Sequence, residues 1–262
     1  MTSPAAWVYL SPHLDDAVLS CGGLIAAQVR LGHPVLILTV CAGDPPAGEL
    51  TPLARVLHER WQTGLQTAAV RRAEDLAACA RLGAAARHLD LPDCIYRRSP
   101  KTGFPVISAN EDLFAPIHPD EIPLVAALAE RLRGELPDGA TNVVSPLSLG
   151  GHMDHRLVRA AAEQLSRPLW YYADFPYAAN PAAGGVEDPS GLYPPRARIR
   201  CFKVSKTALA AWGEAVSAYP SQISTFWPDE AAMRASLADF TISQGGLCLW
   251  ASARGGNDSF LR

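Results

Sequence analysis

The sequence predicts an α/β fold in which helices cover both faces of a mostly parallel sheet. Short apolar runs alternate with amphipathic helical patterns along the chain, an order that is typical of βαβ units. The run at 34–41 is almost continuously apolar and rich in β-branched residues, as in parallel strands that are buried on both faces. We therefore expect residues 1–262 to form a single domain, a Rossmann-like three-layer sandwich.

The individual elements follow from the same patterns. Helix 16–31 ends before Gly32, a residue type that commonly terminates helices. The alternating segment 198–204 suits an edge or antiparallel strand. We predict strands at 7–11, 34–41, 87–92, 142–147, 168–175 and 198–204, and helices at 16–31, 57–82, 120–135, 156–166, 206–219 and 229–239.

Three further segments are interpreted from their length and composition. Segment 94–118 is too long for an idle connection in a compact domain, so we expect an active-site or oligomer loop there. Segment 178–195 is rich in Gly, Pro and Ala and is predicted to be a long surface loop. The apolar segment 247–251 is expected to dock back onto the domain.

The composition limits the class of partner. A net charge of −3 gives no reason to expect a nucleic-acid backbone as ligand. No window approaches the roughly 20 apolar residues that span a bilayer, and the first residues lack the basic and apolar regions of a signal peptide. We therefore expect a cytoplasmic protein with no membrane span and no nucleic-acid partner, possible self-association being left open.

The six cysteines are scattered at positions 21, 41, 79, 94, 201 and 248, without a CxxC pair. This spacing favours small buried hydrophobic residues in a reducing compartment. It does not suggest a disulfide framework or a thiolate zinc site.

The first polar cluster lies directly after the first predicted strand. His13, Asp15 and Asp16 stand where this strand meets helix 16–31, and ligands of open α/β sheets bind beyond the carboxyl ends of the strands. Burying an imidazole and two carboxylates without a partner would be costly, so a bound metal ion explains the three together. For a single Asp, a helix N-cap is the alternative.

The second polar cluster lies after another predicted strand, 142–147. His152, Asp154 and His155 precede the amphipathic helix that follows it. Because parallel strands bring such junctions to the same edge of a sheet, we expect the two clusters to meet in space.

The two clusters make the chain similar to a known family. His13-Leu14-Asp15-Asp16 with Gly22-Gly23, and His152-Met153-Asp154-His155, resemble the zinc-dependent de-N-acetylases of the PIG-L/LmbE-like family. The segments 70–74, 91–93 and 171–177 also look like family features, so the resemblance covers most of the chain. Two positions depart from the pattern: Leu14 replaces a usual Pro, and Gly150 replaces a Tyr of some members, so a Tyr-assisted oxyanion site is not carried over.

A metal site of one divalent ion is expected. Two imidazoles and one carboxylate leave coordination positions open for water and substrate, as catalytic rather than structural sites do. His13 and Asp16 can converge on one ion, and the resemblance implies His155 as the third ligand. The same set could hold Fe²⁺ or another divalent ion; the expectation of Zn²⁺ comes from the resemblance.

The resemblance also implies the roles of neighbouring residues. Asp15 would serve as general base, His152 would stabilise the oxyanion when protonated, and Asp154 would orient His152. Arg71 and Asp93 would contact the substrate. For these two residues the alternatives are a solvated ion pair and a turn cap, respectively.

The implied activity is hydrolysis of an N-acetyl or similar N-acyl group on an amino-sugar substrate, by a water whose pKa the metal lowers to near 7. Two alternatives stay open. One is a different enzyme on an α/β scaffold, either a metal-dependent phosphoesterase or an iron oxygenase. The other is a metal- or sugar-binding module without catalysis, which would not need Asp15 beside the ligands.

Overall fold

One sheet of seven strands organises the part of the chain that the computed structural model describes, residues 6–137, 141–179 and 189–252. The strands are β1 Ala6–Ser11, β2 Val35–Thr39, β3 Ala85–His88, β4 Thr141–Pro146, β5 Leu169–Tyr172, β6 Arg198–Phe202 and β7 Leu247–Ala251. The helices are α1 Asp16–Arg30, α2 Pro52–Trp61, α3 Thr67–Leu82, α4 Ile122–Glu135, α5 Met153–Glu163, α6 Lys206–Val216, α7 Pro220–Phe226 and α8 Glu230–Ser243.

The strand order explains where the two polar clusters meet. The order is β3-β2-β1-β4-β5-β7-β6, and the first five strands of the chain are mutually parallel. The chain therefore runs outward from β1 to β3 and then returns to place β4 beside β1. Ligands of open α/β sheets bind at such a reversal of strand order, and both clusters follow directly after its two strands.

The predicted α/β fold with a mostly parallel sheet is confirmed. The predicted edge strand is β6, which pairs antiparallel with β7. Segment 247–251 does more than dock onto the domain, because as β7 it lies inside the sheet, antiparallel to β5. Residues 180–188 of the predicted loop 178–195 lie outside the described part of the chain.

The prediction of one long helix over 57–82 is wrong. α2 ends at Gln62, which adopts a left-handed conformation with φ of 53°, and Gly64 follows with φ of 60°. A residue at positive φ ends helical hydrogen bonding. The apolar residues Leu57, Trp61 and Leu65 continue at helical spacing across this break, so the sequence pattern concealed it. Helix α7 was also missed.

Glycines Gly22 and Gly23 allow α1 to pack closely on α6. A Cβ atom at Gly22 would lie 2.2 Å from the Trp212 ring, and one at Gly23 would lie 3.1 Å from it. The Trp212 indole N–H also donates a hydrogen bond of 2.7 Å to the carbonyl oxygen of Val18. This contact fixes the helix whose first residue is Asp16.

The expectation that no cysteine is paired is wrong for Cys201 and Cys248, which form a disulfide. The antiparallel register of β6 and β7 sets these residues opposite each other, with 4.0 Å between their Cα atoms. A separation of 47 residues gave no local signal of this pairing. The other four cysteines are buried, as predicted. Among the described residues, none of the helices is both long and apolar enough to cross a bilayer.

Candidate active site

The histidines of the two clusters lie together at the carboxyl ends of β1 and β4. The ring centroids of His13 and His155 are 5.4 Å apart, and those of His13 and His152 are 4.8 Å apart. Residues separated by about 140 positions in the sequence, such as His13 and Asp154, therefore share one site, as predicted.

One Asp16 oxygen lies close to both of the histidines proposed as ligands. Asp16 Oδ2 lies 3.1 Å from His13 Nδ1 and 3.2 Å from His155 Nε2. Ligands with bonds of about 2 Å to one ion stand roughly 3 Å from each other. Asp16 Oδ2 thus has a suitable spacing from a nitrogen of each of the two imidazoles proposed from the sequence as ligands.

The other ring nitrogen of each candidate ligand histidine faces a carboxylate. Asp154 Oδ2 lies 3.1 Å from His13 Nε2, and Asp174 Oδ1 lies 2.6 Å from His155 Nδ1. Metal-binding histidines almost always direct their second nitrogen to such an acceptor, which fixes the tautomer. The donor set therefore fits a divalent ion. Asp174, which belongs to the family-like segment 171–177, is the carboxylate that contacts His155.

Local hydrogen bonds shape the loop between β1 and α1. The Asp16 carboxylate accepts the backbone N–H of His13 at 2.8 Å, and the Ser11 hydroxyl accepts the N–H of Ala17 at 3.0 Å. Asp15 occupies the N-cap position of α1, but its side chain accepts no capping hydrogen bond. The capping role considered for Asp15 is therefore not what its carboxylate performs.

The Asp15 carboxylate instead faces Arg71, whose Nη2 lies 3.4 Å from Asp15 Oδ2. Burial raises the pKa of Asp15 to about 7, the Asp16 charge adds to this, and the Arg71 charge opposes it. The Arg71 guanidinium stacks 4.7 Å from the Trp61 ring centre. A carboxyl group with such a pKa suits proton transfer near neutral pH.

His152 caps helix α5 through its ring. Its Nδ1 accepts the backbone N–H of Asp154 at 3.2 Å, so the neutral ring carries its proton on Nε2. Burial lowers the pKa of His152 well below its usual range, and the positive charges of His13 and His155 lower it further. Asp154 thus orients His152 through its backbone, whereas its carboxylate faces His13.

Opposed charges hold the ligand groups. Burial opposes ionisation of Asp16, but the charges of His155 and His13 lower its pKa well below the usual range. Burial lowers the pKa of His155, but Asp16 and Asp174 outweigh it and raise that pKa to about 10. Without a bound cation, Asp16 is therefore negatively charged and His155 is positively charged.

The site opens into a cavity of about 290 Å³. Asp93 lines it, with Oδ2 at 3.7 Å from His13 Nε2, and Arg71 lines it beside Asp15. Its apolar wall consists of Leu57, Trp61, Ile95, Leu113, Phe114, Tyr177 and Phe226. Leu113 and Phe114 belong to segment 94–118, so this segment does contribute to the site. Apart from Tyr177, which lies in the family-like segment 171–177, the aromatic residues of the wall were not predicted from the sequence, because they are dispersed over more than 160 positions.

Three groups of side chains have ligand atoms close enough to hold a metal ion. One is His13 with His152 and His155, and the other two join Asp154 and one histidine to the thiol of Cys41 or Cys94. Burial and the Asp154 charge raise the pKa values of both thiols, which disfavours the thiolate forms that bind metals. The Asp154 carboxylate is already paired with Arg97 at 2.7 Å. The two groups with a thiol are therefore the weaker candidates, and His13 and His155 are common to the three-histidine group and to the set with Asp16.

Gly150 is required by Tyr177. A Cβ atom at position 150 would lie 2.5 Å from Cγ of Tyr177 and within 2.7 Å of two further ring atoms. We expect Gly150→Ala to displace this ring from the cavity wall and to lower stability by about 1–3 kcal/mol, as overpacking does. Thermal unfolding measures this effect.

Gly134→Ala in α4 is the matched control, because a Cβ atom there meets nothing within 4 Å. Its melting temperature should equal or exceed that of the wild type. Equal melting temperatures for Gly150→Ala and the wild type would contradict the close contact with Tyr177.

Comparisons with known proteins agree with this geometry. Residues 8–166 match the family described as GlcNAc-PI de-N-acetylase, PIG-L. The 2'-N-acetylparomamine deacetylase of Streptomyces fradiae is 33% identical over 187 residues, which are 68% of this chain and 60% of that protein. The protein of the same name from Niallia circulans is 31% identical over 189 residues, 66% of this chain and 67% of that protein. The chain spans less than two thirds of the first relative's length.

Solved structures extend the similarity over nearly the whole chain. The zinc-inhibited form of teicoplanin deacetylase Orf2 matches with a TM-score of 0.82 and 30% identity, covering 97% of this chain and 100% of that one. The A40926 pseudoaglycone deacetylase Dbv21 matches with a TM-score of 0.73 and 28% identity, covering 97% and 99%.

The fold and the site together define an α/β protein with a candidate metal centre at the reversal of its strand order. By the match of residues 8–166, the chain belongs to the GlcNAc-PI de-N-acetylase family, PIG-L, and the resemblance drawn from its two motifs is confirmed.

Proposed function

We propose that this protein is a zinc-dependent N-deacetylase that removes an acetyl or similar N-acyl group from an amino-sugar substrate. The observation that carries the proposal is the combination of a carboxylate-backed ligand set with a separate carboxylate, Asp15, in the same cavity. Family membership and the names of the relatives support the amide of an amino sugar as the bond that is broken. The domain is taken to be the whole chain, residues 1–262.

His13, Asp16 and His155 would hold the ion. A bound ion would act as a Lewis acid and lower the pKa of water, so that water becomes a nucleophile near neutral pH. Asp15 takes a proton from the attacking water and returns it to the departing amine as the C–N bond breaks, so that the products are a carboxylate and a free amine. His152 donates from Nε2 to the oxygen on which negative charge develops.

Arg71 and Asp93 are proposed to bind the substrate. Both line the cavity next to the ligand set, so each can reach a hydroxyl group of a sugar whose amide lies at the centre. The aromatic wall formed by Trp61, Phe114 and Phe226 offers faces for the apolar side of a sugar ring or its substituent.

Two alternatives fit the site less well. A phosphoesterase with two metals needs a second ion within about 4 Å of the first, but the Arg71 guanidinium already occupies the position beside Asp15. A binding module without catalysis would not need a carboxylate that lies beside the metal ligands without binding the ion.

Cytoplasmic location and self-association stay predictions. The Cys201–Cys248 disulfide is evidence against a reducing compartment.

The test is metal analysis of the purified protein combined with detection of free amine. We expect about one zinc or related ion per chain and amine release from N-acetylated amino sugars, including 2'-N-acetylparomamine. Chelation should abolish release and added Zn²⁺ should restore it.

Other results would decide against the proposal. Release of phosphate from phosphoesters without release of amine would favour the phosphoesterase. Bound metal with neither activity would favour the binding module.

A further inference from the structure

Arg97 is a buried cation that does not line the cavity. It lies next to Asp154, which contacts the candidate ligand His13. It belongs to segment 94–118, and only 7% of its surface is exposed. Its Nε and Nη2 donate to the two carboxylate oxygens of Glu121 at 2.5 and 2.9 Å, and its Nη1 donates to the carbonyl oxygen of Pro92 at 3.0 Å. The guanidinium is thus held in one orientation by three hydrogen bonds to two residues.

The remaining contact of Arg97 is with Asp154. Its Nη2 lies 2.7 Å from Asp154 Oδ1, while Asp154 Oδ2 lies 3.1 Å from His13 Nε2 and accepts the N–H of Cys94 at 2.9 Å. Asp154 is fully buried. A continuous chain of contacts therefore runs from Glu121 through Arg97 and Asp154 to the outer nitrogen of a ligand histidine.

This arrangement has a physical consequence for His13. A fully buried carboxylate without a counter-charge is costly, so Arg97 stabilises Asp154 in its place. Asp154 in turn fixes the His13 ring with Nδ1 toward Asp16 and the ligand set. Removing the group that hydrogen-bonds the non-ligating nitrogen of a metal-binding histidine typically lowers the metal affinity by 10–100-fold.

We propose that Arg97, held by Glu121, is a positioning residue for the metal centre, acting through Asp154 on His13. The inference rests on the proposed function only in taking His13 as a ligand. A purely structural role for Arg97 would be to attach segment 94–118 to the start of α4, which would affect stability but not metal affinity.

The test measures the affinity for Zn²⁺ by competition with a chromophoric chelator, together with the absorption spectrum of the Co²⁺-loaded protein. Arg97→Met should weaken Zn²⁺ binding by about 10–100-fold and alter the Co²⁺ spectrum. Arg97→Lys should recover part of the affinity. Asp154→Asn should weaken binding by a similar factor, and combining it with Arg97→Met should add little, because both changes break the same chain of contacts.

Arg98→Met is the matched control. Arg98 is the exposed neighbour of Arg97, and its guanidinium donates to the carbonyl oxygens of Gly103 and Glu49. Its variant should bind Zn²⁺ as the wild type does. If Arg97→Met does not fold, Glu121→Gln decides, since it weakens the hold on Arg97 while keeping every side chain at nearly the same size.

The inference is overturned if Arg97→Met, or Glu121→Gln in its place, binds Zn²⁺ within about twofold of the wild type while His13→Ala loses binding. A wild-type protein that binds Zn²⁺ but releases no amine would overturn the proposed activity alone. The two failures are therefore distinguishable.

Discussion

Asp15→Asn is expected to abolish most amine release while the protein keeps its metal. Removal of a general base typically lowers the rate by on the order of 10²–10⁴, roughly 3–5 kcal/mol of transition-state stabilisation. The amide that replaces the carboxylate cannot accept a proton, but it keeps the size of the Asp15 side chain beside Arg71. The measurements are kcat and metal content of the same preparation, and binding of an unreactive substrate analogue should change little.

The pH dependence provides an independent check of this role. Burial and the Asp16 charge, partly offset by Arg71, raise the pKa of Asp15 to about 7. A general base acts only in its deprotonated form, so wild-type kcat/KM should rise as the pH increases through the pKa of Asp15. A bound cation would lower this pKa, so the midpoint of the rise would lie below pH 7. The residual activity of Asp15→Asn should not show this rise of kcat/KM with pH.

Three results would separate the possible roles of Asp15. Loss of the ion in Asp15→Asn would make Asp15 a ligand. Nearly intact turnover with about 1 kcal/mol lower stability would make it a helix cap. Retained metal with lost turnover supports the base, and His152→Ala should give the same pattern because its proposed task is charge stabilisation.

Asp16→Ala is expected to remove metal and activity together. Its Oδ2 is the atom shared by His13 and His155, at 3.1 and 3.2 Å, so its loss removes one ligand and also the charge that the two imidazoles face. Zinc content should fall well below one ion per chain, and amine release should fall in proportion to it.

The melting temperature gives a second readout for Asp16→Ala. A ligand that binds only the folded protein stabilises it, by about 2.7 kcal/mol at a concentration 100 times its dissociation constant. Added Zn²⁺ should therefore raise the melting temperature of the metal-free wild type, and much less that of Asp16→Ala. Equal zinc content in the two proteins would refute the ligand assignment.

The sequence alone determined the type of sheet and the location of the chemistry. Apolar runs such as 34–41 report burial on both faces, and this local property predicts parallel strands. His13 and His155 each follow such a run, and parallel strands carry their carboxyl ends to one edge whatever the details of packing. The pairing of the two motifs was therefore predictable without coordinates.

Contacts between distant residues were decided only by the tertiary structure. Arg97 belongs to no motif, and the family-like segment 171–177 does not indicate which partners Asp174 and Tyr177 have. The fold decides that Arg97 contacts Asp154, Asp174 contacts His155 and Tyr177 packs on Gly150. The carboxylate of Asp154 was expected to orient His152, but the start of α5 turns it toward His13.

The same reason explains the errors in secondary structure and in cysteine pairing. Gln62 breaks the helix through its backbone conformation, which the apolar spacing on either side does not encode. Cys201 meets Cys248 only because β7 is inserted between β5 and β6, and strand order is a property of the whole sheet. Periodicity and motif spacing record local burial and chain direction, whereas the partners of a side chain depend on packing between segments far apart in the sequence.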